Sequence, residues 1–140
     1  MDVSEEFEVP CGSARETIFI VDDDPSVRES LAMLLQSAGF PTRTYGSGVD
    51  VLSNARSVQA GCLLVDIRLP DVDGFTLVDR LIDRGVTVPV IFMTGHDDLA
   101  RKARSSNAPS LTVLSKPVPD DVLFEKIDLA LQRSRAQPAT

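Results

Sequence analysis

"LLVDIRLPDVDGFTLVDRL", residues 63–81, passes from one apolar pattern through a turn into another. Leu63, Leu64 and Val65 form a continuous run, as in a strand covered on both faces, and the run ends on a carboxylate, Asp66. Leu69-Pro70 and the acids Asp71 and Asp73 mark a turn and a helix cap. From about 73 to 84 the residues Phe75, Val78, Leu81 and Ile82 recur at helical spacing, and Gly85 closes the pattern.

The same strand-to-helix unit recurs in both directions. Strand-like runs are "TIFIV" (17–21), "FPTRTY" (40–45), "CLLVD" (62–66), "VPVIFM" (88–93) and "LTVL" (111–114). Between the first two, Asp24 suits a helix cap, Pro25 the first helical position and Gly39 a left-handed exit after Ala38. Val27, Leu31, Leu34, Leu35 and Ala38 give that helix its apolar stripe. "SGVDVLSNARS" (47–57) is a less regular second helix, and "DDLARKARSSN" (97–107) a fourth with few apolar residues after Leu99. The fifth spans about 119–133 with Val122, Leu123, Ile127, Ala130 and Leu131.

Alternating strands and helices with short connections predict an α/β fold, a doubly wound five-stranded parallel sheet. In such sheets the site lies beyond the carboxyl ends of the strands. Those ends carry Asp22, Asp23 and Asp24 after the first strand, Asp66 after the third, Thr94 after the fourth, and Ser115-Lys116-Pro117 after the fifth. Two carboxylates within a few Å repel by about 4 kcal/mol at an effective dielectric of about 20, so a cluster calls for a bound proton or a cation. An all-oxygen donor set with open positions suits Mg²⁺ beside a phosphate. Thr94 and Lys116 supply hydrogen-bonding and positive surroundings for a transferring phosphoryl group, with Asp66 as its nucleophile.

Composition sets the outer limits. The 140 residues are 43% hydrophobic and 25% charged, which fits one compact domain over 16–133, with residues 1–15 and 134–140 expected to be mobile. A net charge of -7 argues against direct nucleic-acid binding, which rests on Lys and Arg neutralising phosphates. The acidic start "MDVSEEFEVP" is unlike a signal peptide, and no apolar stretch is long enough for a membrane span, so a cytoplasmic protein without membrane contact is expected. Cys11 and Cys62 show no ligand-like spacing and are read as neither disulfide nor metal ligands.

"IVDDDPSVRESLAMLL", "LLVDIRLPDVDGFTLVDRL", "VIFMTGH" and "LSKP" together resemble the marker segments of response-regulator receiver domains of two-component signalling, over about residues 17–133. Among these, the segments are most similar to receivers that precede LuxR-type helix-turn-helix domains. The resemblance implies strand order 2-1-3-4-5 and phosphorylation of Asp66 by a histidine kinase or phosphotransfer protein. It implies Mg²⁺ bound by Asp23, Asp66 and the backbone carbonyl of Arg68, with Asp22 acting through a metal-bound water. Thr94 and Lys116 are implied to bind the phosphoryl oxygens, and the Lys116-Pro117 peptide to be cis. Arg68 and His96 fall at positions that tune phosphoryl lifetime in the family. Members assist their own phosphorylation and dephosphorylation but are signalling proteins rather than enzymes, acting through a conformational change, a downstream protein partner or a homodimer.

Two departures stand out. The family's inward-swinging aromatic, three positions before the lysine, is Val113 here. The exit of the fourth helix reads "RSSNAPS", with Pro109 and no glycine. No helix-turn-helix pattern follows residue 133, so the chain reads as a stand-alone receiver or a fragment. The alternative is a protein-interaction module of receiver fold that does not signal through phosphorylation. A haloacid-dehalogenase phosphatase needs a second Asp where Arg68 stands, and a calcium loop around "DVDG" lacks acids at Leu69 and Arg80. A nucleotide-binding loop is disfavoured by "DDDPS", which repels phosphates.

Overall fold

The structure is a computed structural model and describes residues 16–95 and 112–136. Strands β1 (Thr17–Val21), β2 (Thr42–Tyr45), β3 (Gly61–Asp66), β4 (Val90–Thr94) and β5 (Thr112–Ser115) form one parallel sheet in the order β2-β1-β3-β4-β5. The helices among the described residues are α1 (Pro25–Ser37), α2 (Gly48–Ser53), α3 (Gly74–Asp83) and α4 (Asp120–Ala136). The expected fourth helix, 97–107, lies outside the described residues.

Local chemistry sets the element ends. Asp24 accepts a hydrogen bond from Ser26 N at 2.9 Å and Pro25 occupies the first turn of α1, as expected. Gly39 and Gly85 take positive φ (94° and 91°) after α1 and α3, a region where a side chain is strained. The expected helix over 47–57 instead breaks at Asn54 into α2 and a 3-10 turn, Ala55–Ser57. The Asn54 side-chain amide donates to the Asp50 carbonyl at 2.8 Å, a local bond of the kind that competes with helix continuation. α4 ends at Ala136 rather than near 133.

Strand alternation divides the core into two layers. Phe19, Val21, Leu63, Val65, Phe92 and Val113 face α2 and α3, where Val51, Leu77 and Leu81 cover them. Ile18, Ile20, Cys62, Leu64, Ile91, Met93 and Leu114 face the other way, onto Leu35 of α1 and Leu123, Ile127, Ala130 and Leu131 of α4. Ile82, expected on the buried stripe of α3, is 58% exposed, and Leu77 takes that role one turn before Leu81. Cys62 is a free, buried thiol, and burial pushes its pKa up to about 12, which matches a packing residue. No helix among the described residues is long and apolar enough to cross a membrane.

Candidate functional site

The sheet register explains why the acids meet. Val21 pairs with Val65, so the next residues, Asp22 and Asp66, leave adjacent parallel strands side by side. Both continue the even-numbered rows, Ile18–Ile20 and Cys62–Leu64, that face α1 and α4. Asp22 and Asp66 are buried and Asp23, one residue further, is exposed. One carboxylate oxygen from each of the three lies within 4.8 Å of the others. Three hard oxygen donors at this spacing fit a divalent cation such as Mg²⁺. Asp24 stands outside the cluster as the α1 cap.

Lys116 completes the site. Its ammonium lies 2.7 Å from Asp22 Oδ2 and 3.1 Å from Asp66 Oδ2, and the peptide bond to Pro117 is cis, as expected. Burial acts to lower the Lys116 pKa, but hydrogen bonds to the two carboxylates outweigh it and the net direction is upward. The ammonium therefore stays charged. Burial raises the Asp66 pKa; the Arg68 N–H, 3.0 Å from Oδ1, and Lys116 offset this only in part. Thr94 is fully buried at the end of β4, and its carbonyl accepts the Lys116 N–H at 2.7 Å. The sheet thus brings Asp22, Asp23, Asp66, Thr94 and Lys116 to one rim. A cavity of about 610 Å³ between α1 and the residues after β5 opens beside Lys116 and Met93.

Arg68 is exposed, and its backbone bridges to Asp73. Val113 is buried opposite Phe92, with no aromatic ring at that position to move. His96 lies outside the described residues. Two contributors escaped the sequence reading. Arg28 of α1 donates from Nη1 to the Asp22 carbonyl at 2.7 Å, and an arginine one turn into a helix carries no signal of that bond. Asp71 is more than a turn residue: it accepts from Gly48 N and Val49 N at 3.1 and 2.8 Å, across 23 and 22 positions of sequence.

A response regulator receiver domain model matches residues 18–128. The chain belongs to the response regulator receiver family. The C4-dicarboxylate transport transcriptional regulatory protein DctR of Rhodobacter capsulatus is 38% identical over 117 residues, covering 82% of this chain and 58% of its own length. The transcriptional regulatory protein FixJ of Rhizobium meliloti is 35% identical over 123 residues, 88% of this chain and 60% of its own. The crystal structure of FixJ-N superposes with a TM-score of 0.75 at 34% identity, over 89% of this chain and 98% of that one. The receiver spans little more than half the length of these curated relatives, which are transcriptional regulators, in line with the resemblance to LuxR-type receivers. It is a receiver domain of two-component signalling.

Proposed function

We propose that this receiver accepts a phosphoryl group on Asp66 from a histidine kinase or phosphotransfer protein, with Mg²⁺ as cofactor. The supporting observation is the convergence of three carboxylates with Lys116 at the rim of the sheet. Asp23 and Asp66, with the carbonyl of Arg68, would hold the metal, and Asp22 would act through its water. When bound, Mg²⁺ neutralises oxygen charge on the phosphoryl group. Asp66 Oδ forms the new bond to phosphorus as the donor's P–N or P–O bond breaks, and the electron pair leaves with the donor. The Lys116 ammonium and the Thr94 hydroxyl bind the phosphoryl oxygens. Since Lys116 holds Asp66 Oδ2 at 3.1 Å, it must exchange that contact for the incoming group.

Arg68 stands next to this bond and is the rate-tuning candidate, together with His96. Its exposed side chain can shield the acyl phosphate from water. Output passes to a downstream protein partner or a second copy, in the cytoplasm, with no direct contact to nucleic acid or membrane. The switch runs without the family's aromatic, because Val113 has one small side chain in a packed layer.

Incubation with Mg²⁺ and acetyl phosphate, read by intact mass, tests the reading. A gain of about 80 daltons in the native protein and none in Asp66→Asn is expected, since the amide is no nucleophile for this transfer. No adduct, or one surviving Asp66→Asn, overturns it in favour of an interaction module.

A further inference from the structure

The loop between β3 and α3 holds Arg68, whose carbonyl the proposed metal site needs, and Pro70 and the Arg68–Asp73 bridge restrain it from within. Inside the loop, Arg68 N donates to Asp66 Oδ1 and Gly74 N donates to the Ile67 carbonyl at 2.8 Å. The middle of the loop is tied elsewhere. Asp71 spans to the first turn of α2 and takes its two opening backbone N–H groups, Gly48 on Oδ1 and Val49 on Oδ2. That approach depends on Gly48, where a Cβ would stand 2.3 Å from Val72 Cγ1 and 3.4 Å from Asp71 Oδ2. The short link just before α2 meets the other acid-bearing strand end. The Arg28 guanidinium that holds the Asp22 carbonyl lies against Gly46, within 3.1 Å of where a Cβ there would be.

We infer that Asp71 is a positioning residue for the phosphoryl site: by clamping residues 68–72 to Gly48 and Val49, it sets the spacing between the Arg68 carbonyl and the Asp66 carboxylate. The clamp has two bonds from one carboxylate, so it fixes direction as well as distance. The inference rests on the reading of Asp66, Asp23 and Arg68 as a metal site. A merely structural staple would lower stability and leave metal binding alone, and this difference makes the two roles separable.

Calorimetric titration with Mg²⁺ on the full chain, paired with amide exchange at Gly48 and Val49, tests it. Asp71→Ala is expected to raise the Mg²⁺ dissociation constant about tenfold, the low end for residues that orient metal ligands. Asp71→Asn, with one acceptor oxygen left, should fall between Asp71→Ala and the native protein, and it carries the test if Asp71→Ala does not fold. Phosphorylation by acetyl phosphate should slow at low Mg²⁺ and recover at saturating Mg²⁺. A variant that loses thermal stability and amide protection but keeps the native Mg²⁺ affinity overturns the inference alone. A native protein that binds no Mg²⁺ overturns both it and the metal site. A native protein that binds Mg²⁺ in an Asp71-dependent way but takes no phosphoryl overturns only the phosphoacceptor reading.

Discussion

The ends of β1 and β3 start alike and are supported differently. Each strand delivers a buried carboxylate, Asp22 or Asp66, whose Oδ1 accepts the N–H two residues on, from Asp24 or Arg68. Each then reaches an aspartate cap, Asp24 or Asp73, and a helix. After β1 the helix begins at once, and two acids of the cluster, Asp22 and Asp23, and the cap, Asp24, fill three consecutive residues. After β3 a seven-residue loop intervenes, closed by Gly74 against the strand end and by Asp71 against the start of α2, more than twenty positions away. The short connection is held by side chains within a few residues of it, Asp22, Asp24 and Arg28; the longer one also takes contacts from far along the chain.

The sharpest way to break the comparison is at the first helical residue. Pro25 fills that position in α1, and Gly74 in α3. A Cβ on Gly74 would stand 2.9 Å from the Asp66 carbonyl and 2.9 Å from Ile67 Cα, backbone atoms that cannot swing aside. Alanine gains about 1 kcal/mol of helix propensity, but overpacking costs about 1–3 kcal/mol and displaces the Asp66 peptide. Gly74→Ala is therefore expected to lower stability in urea and slow phosphorylation together. Pro25→Ala should lose under about 1 kcal/mol, through the unfolded chain, and leave phosphorylation unchanged. Equal behaviour of the two variants would remove the distinction.

The caps come next. Asp24→Ala gives up the bond from Ser26 N, and Asp73→Ala gives up those from Thr76 N and, at 2.8 Å, Thr76 Oγ1. Each should cost about 1 kcal/mol in chemical unfolding, Asp73→Ala the more. Asparagine at either position should restore most of the loss, because it caps nearly as well. A larger loss for Asp24→Ala would show that the short connection is the weaker of the two.

The same contrast governs what the sequence discloses. The three-residue link from β1 to α1 is legible because caps, Pro25 and acids act within a turn of themselves. Sheet order was implied by the family resemblance, and the strand ends marked Asp22 and Asp66 as residues that could meet; the register of β1 against β3 is what brings them side by side. Arg28 and Asp71 were illegible because each reaches a backbone group outside the fixed spacing of a cap, Arg28 a carbonyl six positions back and Asp71 N–H groups more than twenty positions away, and a backbone group has no residue identity to read. The exposure of Ile82 was hidden for a related reason: the stripe of α3 is broad, and the closest contact, through Gly74 and Leu77, decides which edge is buried. The edge strand β2, half exposed, offers little apolar pattern at all.

Acid should distinguish the two regions most finely. The Val49 N–H above all, with Gly48 N–H adding, holds the Asp71 carboxyl below its ordinary value of 3.8, and the Thr76 N–H does the same for Asp73. A depressed folded pKa means that the ionised form contributes stability fully above 3.8 and loses it as pH falls through the lower folded value. Asp66 runs the other way: its raised pKa makes protonation favour the fold before Asp71 begins to titrate. Amide protection at Gly48, Val49 and Thr76 should therefore hold down to about pH 4 and decline below it. Asp71→Asn should lower protection at Gly48 and Val49 above about pH 4 and flatten its decline, so that the two proteins converge in acid, while Thr76 keeps the native profile. Protection at Gly48 and Val49 that stays constant through the acid range would mean that the Asp71 charge does not hold the loop, and the two strand ends would then differ in length alone.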